Sequence, residues 1–197
     1  MNSLETIHFI QESYRKLLNT MARPGVIEKL EDNFSKECNW IDFLFGTYSI
    51  MKMLLDTETS FNIFSLEENK NENIINGLTG AKIKDTNESD FIFVSLDKRE
   101  NIKEAIKNAN IGDLINPEKG ATIFIEVKDI NKGIKVKLKG PGILGEKNIF
   151  LPLESSLIHM RNEKVSEYPT GIDLVFIDKE GNILSIPRTT KILEVCI

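Results

Sequence analysis

The sequence predicts a single α/β domain with a mixed β-sheet flanked by helices, and three observations carry that prediction. Residues 91–96 (Phe-Ile-Phe-Val-Ser-Leu) form a nearly unbroken apolar run, the pattern of a strand covered on both faces. A helix-patterned stretch over 99–109 and another apolar strand over 121–127 follow it, which is the order of a crossover unit. Apolar residues make up 41% of the 197, enough for one substantial core and ordinary for one domain spanning 1–197.

From the N-terminus, Asn2 and Glu5 have the spacing of a capping box. Ile7, Ile10, Tyr14, Leu17, Leu18 and Met21 recur at helical spacing and are expected to line the buried face of a first helix. Pro24 stops that helix, because the residue before a proline is pushed out of the helical region. Gly25 then lets the chain turn, and 26–30 is expected to be a short strand. A second helix is predicted over 39–55, where Ile41, Leu44, Phe45, Tyr48, Met51 and Leu55 make a wide apolar stripe. Asn39 or Asp42 would serve its first amides. Residues 61–65 read as a strand, and the polar stretch 67–76 as loop plus the start of a short helix.

In the 99–109 helix, Ile102, Ala105, Ile106 and Ala109 are expected to face inward. Asn116-Pro117-Glu118-Lys119-Gly120 has the turn chemistry of a rigid loop. Strand 121–127 is expected to form a hairpin with 133–139. In the latter Ile134, Val136 and Leu138 alternate with Lys135, Lys137 and Lys139, giving one packed face and one wet one. Gly140-Pro141-Gly142 ends that strand. A helix over 153–164, a buried strand over 172–177, a turn at 178–182, a partner strand over 183–186 and a final strand over 192–196 complete the chain, with Pro187 interrupting the ladder.

Composition excludes several functions. The net charge is −5 with both signs interleaved, so no broad basic face for nucleic acid is expected. No apolar run approaches the roughly 20 residues of a membrane-spanning helix. The start, Met-Asn-Ser-Leu-Glu, lacks the basic and apolar regions of a secretory signal. Cys38 and Cys196 have neither metal nor redox spacing, and a cytoplasmic protein with free thiols is the expectation. Phosphate-binding glycine loops, nucleophile elbows and metal-binding histidine pairs are absent from the sequence. His8 and His159 are the two imidazoles, and neither has a catalytic context. Neither a cofactor nor a metal is expected.

Four segments stand out as candidate contacts. Met21-Ala22-Arg23-Pro24-Gly25 places Arg23 at a helix end, either near its carbonyls or on an anion or a partner subunit. Gly140-Pro141-Gly142-Ile143 is a tight turn or a backbone that meets a ligand. In Tyr168-Pro169-Thr170-Gly171-Ile172-Asp173, Asp173 enters a buried strand and needs an arginine or backbone amides as partner. In Pro187-Arg188-Thr189-Thr190, a guanidinium fork beside two hydroxyls suits phosphate or phosphonate oxygens, but equally a clamp on Asp173 or on a partner's carboxylate.

Taken in order and spacing, these segments and Asn-Pro-Glu-Lys-Gly-Ala-Thr at 116–122 resemble the landmarks of the PhnH family, the H subunit of the bacterial carbon–phosphorus lyase machinery. The likeness extends over essentially the whole chain, with Tyr168 standing where phenylalanine is the more frequent residue. The resemblance implies a subunit of a core complex with the G, I and J subunits, chiefly contacting I. With the G, I and L components, such a subunit is required to move the ribose triphosphate of ATP onto a phosphonate with release of adenine. A later radical step, assigned to J, breaks the carbon–phosphorus bond. The resemblance also implies a homodimer in isolation, and a fold like a reduced large domain of pyridoxal-phosphate transferases without the cofactor. Two roles are open. One is a structural subunit with no self-sufficient active site; the other contributes Arg23, Arg188 and Thr189 to phosphate or phosphonate binding in a shared site.

Overall fold

A computed structural model of the chain describes residues 3–32 and 40–194. Asn2, Cys38, Asn39 and Cys196, and with them part of the expected cap, second helix and last strand, lie outside the described residues.

The expected crossover unit is present. Strand β4 (Phe91–Val94) leads through a 3-10 turn at Leu96–Asn101 into helix α4 (Ile102–Asn108), and the chain returns parallel as β5 (Thr122–Val127). The inward residues of α4 are Ile102, Ala105 and Ile106, as its spacing predicts, with Ala109 buried just beyond. Around this unit lies a seven-stranded sheet. Running out from β5 on one side are β4, then β2 (Ser60–Phe64), then β3 (Lys82–Ile83), all parallel. On the other side β8 (Asp173–Asp178) is parallel to β5. Next come β9 (Asn182–Ile186), antiparallel to β8, and the edge strand β1 (Ile27–Lys29), antiparallel to β9.

Period-two alternation sends the side chains of β5 to two cores. Ile123, Ile125 and Val127 join a core with α4 and helix α5 (Ser155–Lys164). Phe124 faces the other way, stacked on Phe93 with ring centroids 4.9 Å apart. It packs in a core with helices α1 (Ser3–Ala22), α2 (Phe45–Leu54) and α3 (Glu68–Thr79).

Four expectations are corrected. The hairpin of 121–127 with 133–139 does not form. Strand β6 (Ile134–Lys139) instead sits at the centre of a separate antiparallel sheet, between β7 (Lys147–Leu151) and β10 (Lys191–Glu194). The reason is burial: β5 is a central strand between β4 and β8, whereas the lysines of β6 need a wet face. The first helix buries Phe9, Ser13, Leu17 and Thr20, and leaves Ile7, Tyr14 and Leu18 45–50% exposed. A polar pair sets that rotation: the Thr20 hydroxyl hydrogen-bonds Ser185 of β9 at 2.6 Å and donates to the Leu17 carbonyl. The second helix begins only at Phe45, and Asp42 does not cap it. Asp42 accepts from the Glu67 amide and the Asn71 side chain, at the start of α3. Finally, the polar stretch after β2 is a full twelve-residue helix, closed by Gly80 at φ 75°.

Candidate functional site

The five sequence landmarks converge. They gather at the edge where β5 and β8 begin and β9 ends, the amino-terminal edge of the parallel strands.

Asp173 opens β8, and Arg188 follows β9 by two residues, so the pair closes the open end of the β8–β9 hairpin. Asp173 Oδ1 accepts from the Arg188 backbone amide at 2.6 Å. Its Oδ2 accepts from Arg188 Nε at 3.0 Å and Nη2 at 2.5 Å. The remaining reach of the guanidinium goes to the Pro117 carbonyl through Nη1 (2.7 Å) and the Gly120 carbonyl through Nη2 (2.9 Å). Arg188 thus ties the 116–120 loop to the hairpin with both faces of its fork. Gly120 must be glycine here, because a Cβ would fall on Arg188 Nη1 and the Gly171 carbonyl oxygen. The loop is rigid from within: Asp113 Oδ1 accepts the amides of Ile115 (2.8 Å) and Asn116 (2.7 Å), and these bonds hold its pKa down. Gly171 joins it by donating to the Ile111 carbonyl at 2.8 Å.

The Pro187-Arg188-Thr189-Thr190 segment is a turn, closed by the Thr190 amide on the Pro187 carbonyl at 2.9 Å. A second arginine, which the sequence analysis did not single out, holds both its ends. Arg161 of α5 is fully buried and donates Nη2 to the Pro187 carbonyl (2.6 Å) and Nη1 to the Thr190 carbonyl (2.7 Å). Burial holds its pKa down at about 10, against an upward pull from Asp173. The signal for it was an arginine three residues after buried Ile158, on the inward side of its helix. The Thr190 hydroxyl is buried beneath this turn, and Thr189 is half-buried.

The other two landmarks brace the turn from behind. A Cβ on Gly140 would approach the Thr189 carbonyl oxygen to 2.8 Å. Gly142, at φ 78°, lies so close to the Ala22 carbonyl that a side chain has no room. Gly25, at φ 81°, packs where α1 ends against Ile149, Leu138 and Lys147. Arg23 is exposed, and its guanidinium makes no hydrogen bond or ion pair with the described residues. The structure therefore brings Asp173, Arg188, Thr189 and Thr190 together and leaves Arg23 at the rim. His8 and His159 lie exposed on helices packed against opposite faces of the sheet and share no site.

The opposite edge, at the strands' carboxyl ends, is where open α/β sheets ordinarily hold ligands. A cleft of about 680 Å³ opens there beyond β5 and β8, among Arg99, Lys128, Asp129, Asp178 and Glu180. Nearby, Glu126 is buried and receives the Leu44 amide and the Thr47 hydroxyl on Oε1 (both 2.6 Å) and the Leu96 amide on Oε2 (3.0 Å). Burial raises its pKa to about 7, and those three donors only partly offset the effect. It straps the segment before α2 to the turn after β4. None of the landmark charges lines this cleft.

The family described as "Bacterial phosphonate metabolism protein (PhnH)" matches residues 4–193. The chain is 26% identical over 192 residues to the alpha-D-ribose 1-methylphosphonate 5-triphosphate synthase subunit PhnH of Rhizobium meliloti (strain 1021), a match covering 92% of this chain and 89% of that protein. It is 32% identical over 83 residues to a protein of Stutzerimonas stutzeri named as C-P lyase subunit protein HtxG. That match spans 42% of each.

Proposed function

The chain belongs to the PhnH family of bacterial phosphonate metabolism proteins, and from that premise we propose that it is a structural subunit of a carbon–phosphorus lyase complex. In this reading it assembles with G, I and J subunits, chiefly with I, in the cytoplasm, and is a homodimer when isolated. The assembly transfers the ribose triphosphate of ATP to an alkylphosphonate and releases adenine; this chain shapes the assembly and does not itself turn over substrate. The name of the Rhizobium relative, a synthase subunit, supports the process.

One observation carries the structural role: the landmark arginine is spent inside the chain. Arg188 holds Asp173 and two backbone carbonyls. Arg161 holds the turn that carries it. Groups so committed fix loops and leave little to offer a phosphonate. The exposed Arg23 is a landmark charge still able to meet a partner or an anion, and Ile7, Tyr14 and Leu18 present an apolar stripe on the helix it follows. The fold is read as a reduced large domain of pyridoxal-phosphate transferases. Lys191, exposed on the small sheet, would not then serve as a Schiff-base lysine, and absorbance of the purified chain tests that point.

The test is co-expression of the tagged chain with the G, I and J subunits. Stoichiometric capture, with no phosphonate or nucleotide turnover by the isolated chain, is the expected result. Turnover by the isolated chain overturns the structural role.

A further inference from the structure

We infer that the outer face of the small sheet is a docking surface for an acidic protein partner that is not a second copy of this chain, an inference that rests on the assembly role proposed above. Strand β6 carries Lys135, Lys137 and Lys139 on its wet side. The register adds two neighbours from β10: Lys191 opposite Lys139 and Leu193 opposite Lys137. From β7 it adds Phe150 opposite Lys135. Phe150 and Leu193 are 52% and 45% exposed, so the face is four lysines set around two open apolar side chains.

This concentration stands out in a chain of net charge −5. Glu146 pairs with Lys137 at 2.8 Å, while Lys135, Lys139 and Lys191 have no ion-pair partner among the described residues. Lys139 and Lys191 are directly opposite across the ladder, an arrangement of like charges that costs stability in the free protein. Carboxylates from outside would remove that cost.

Lysines often protect the edges of sheets from unwanted pairing. That explanation fails for three of the four, which lie on the central strand, while Phe150 and Leu193 lie on the outer strands. A twofold dimer through this face is also disfavoured, because an isologous contact would set lysine against lysine. The surface is an open sheet and not a pocket, which suits a macromolecule better than a small anion. Phe150 and Leu193, open among the lysines, suit a protein face, which has apolar groups to meet them, better than a phosphate backbone, which has none.

The test compares four full-length proteins in the co-expression capture described above. They are the wild type, a Lys135→Glu/Lys139→Glu/Lys191→Glu triple variant, the corresponding triple glutamine variant, and a control with Lys103→Glu and Lys107→Glu on the exposed side of α4. Thermal unfolding checks that each is folded, and the glutamine triple decides the matter if the glutamate triple is not. Wild type and control should capture partners equally. The glutamate triple should lose roughly tenfold or more of the affinity, and the glutamine triple should be weakened. Wild-type capture should fall between about 50 and about 300 mM salt. Undiminished capture by a folded triple variant overturns this inference and leaves the assembly role standing; no capture by wild type overturns both. Binding of wild type to plasmid DNA or to phosphatidylglycerol vesicles at about 150 mM salt, lost in the triple variant, overturns it in favour of a phosphate polyanion.

Discussion

Arg188 grips Asp173 through its backbone amide and two guanidinium nitrogens, and the same fork reaches back to the carbonyls of Pro117 and Gly120. Residues 68 and 71 positions apart are joined in one clamp at the amino-terminal edge of the sheet. The carboxylate and the guanidinium side chains are 11% and 16% exposed, so neither can turn to water if its partner is lost.

Arg188→Ala is therefore expected to destabilise the protein by about 3–5 kcal/mol, since it leaves a buried carboxylate unpaired. Arg188→Lys should rescue only part of this, because an ammonium cannot make the forked contact. Urea unfolding midpoints measure both. An Arg188→Ala protein as stable as wild type would mean the clamp is not holding the loops.

Arg23→Ala is expected to behave in the opposite way. The side chain is exposed and bonds to none of the described residues, so stability should change by no more than about 0.5 kcal/mol. Capture of partner subunits should weaken. The contrast between the two arginines separates fold from assembly in a single pair of variants.

Gly120→Ala places a methyl group against Arg188 Nη1 and the Gly171 carbonyl. Both are fixed, one by the clamp and one by backbone, so a loss of about 1–3 kcal/mol or more is expected. Combining it with Arg188→Ala should give less than the sum of the two losses, since the residues share one contact. A double-mutant cycle by thermal denaturation checks this.

Much of this arrangement was legible in the sequence. The crossover unit follows from the apolar runs and the inward face of α4, and an aspartate entering a buried strand at 173 calls for an arginine or amides. The first helix misled because its innermost positions include Ser13 and Thr20, whose burial is made tolerable in part by the Thr20–Ser185 bond 165 residues away. Spacing along one segment cannot register such a partner. Arg161 escaped for a related reason: its place three residues after Ile158 marks an inward position, but the carbonyls of Pro187 and Thr190 that make its burial tolerable lie 26 and 29 residues away. The lysine alternation of β6 gave its two faces correctly and its neighbours wrongly, because alternation specifies burial and not pairing.

Arg161→Met keeps much of the buried volume but removes a donor from each of two buried carbonyls, leaving that of Pro187 with the Thr190 amide alone. A loss of about 2–5 kcal/mol is expected, from the price of unmade hydrogen bonds at both ends of the 187–190 turn. Hydrogen exchange should show faster opening at the Thr190 amide, which closes that turn.

Glu126 gives the protein a pH dependence of defined sign. Its carboxyl keeps a proton in the folded chain up to about pH 7, whereas the unfolded group has lost it above about 4.5. The folded state binds more protons in that window, so stability falls as pH rises from about 4.5 to about 7, by on the order of 3 kcal/mol, and this group adds nothing further above it. Glu126→Gln should remove that slope, so its stability relative to wild type should improve from pH 4.5 to pH 8. Urea unfolding at several pH values reads the difference.

The most direct measurement is capture of G, I and J subunits by the tagged chain, with the isolated chain assayed in parallel for adenine release from ATP in the presence of methylphosphonate. Stoichiometric capture, reduced by Arg23→Ala, and no adenine release by the chain alone are expected. Adenine release by the isolated chain, or failure of the wild type to capture any of the three, would contradict the structural role in the assembly.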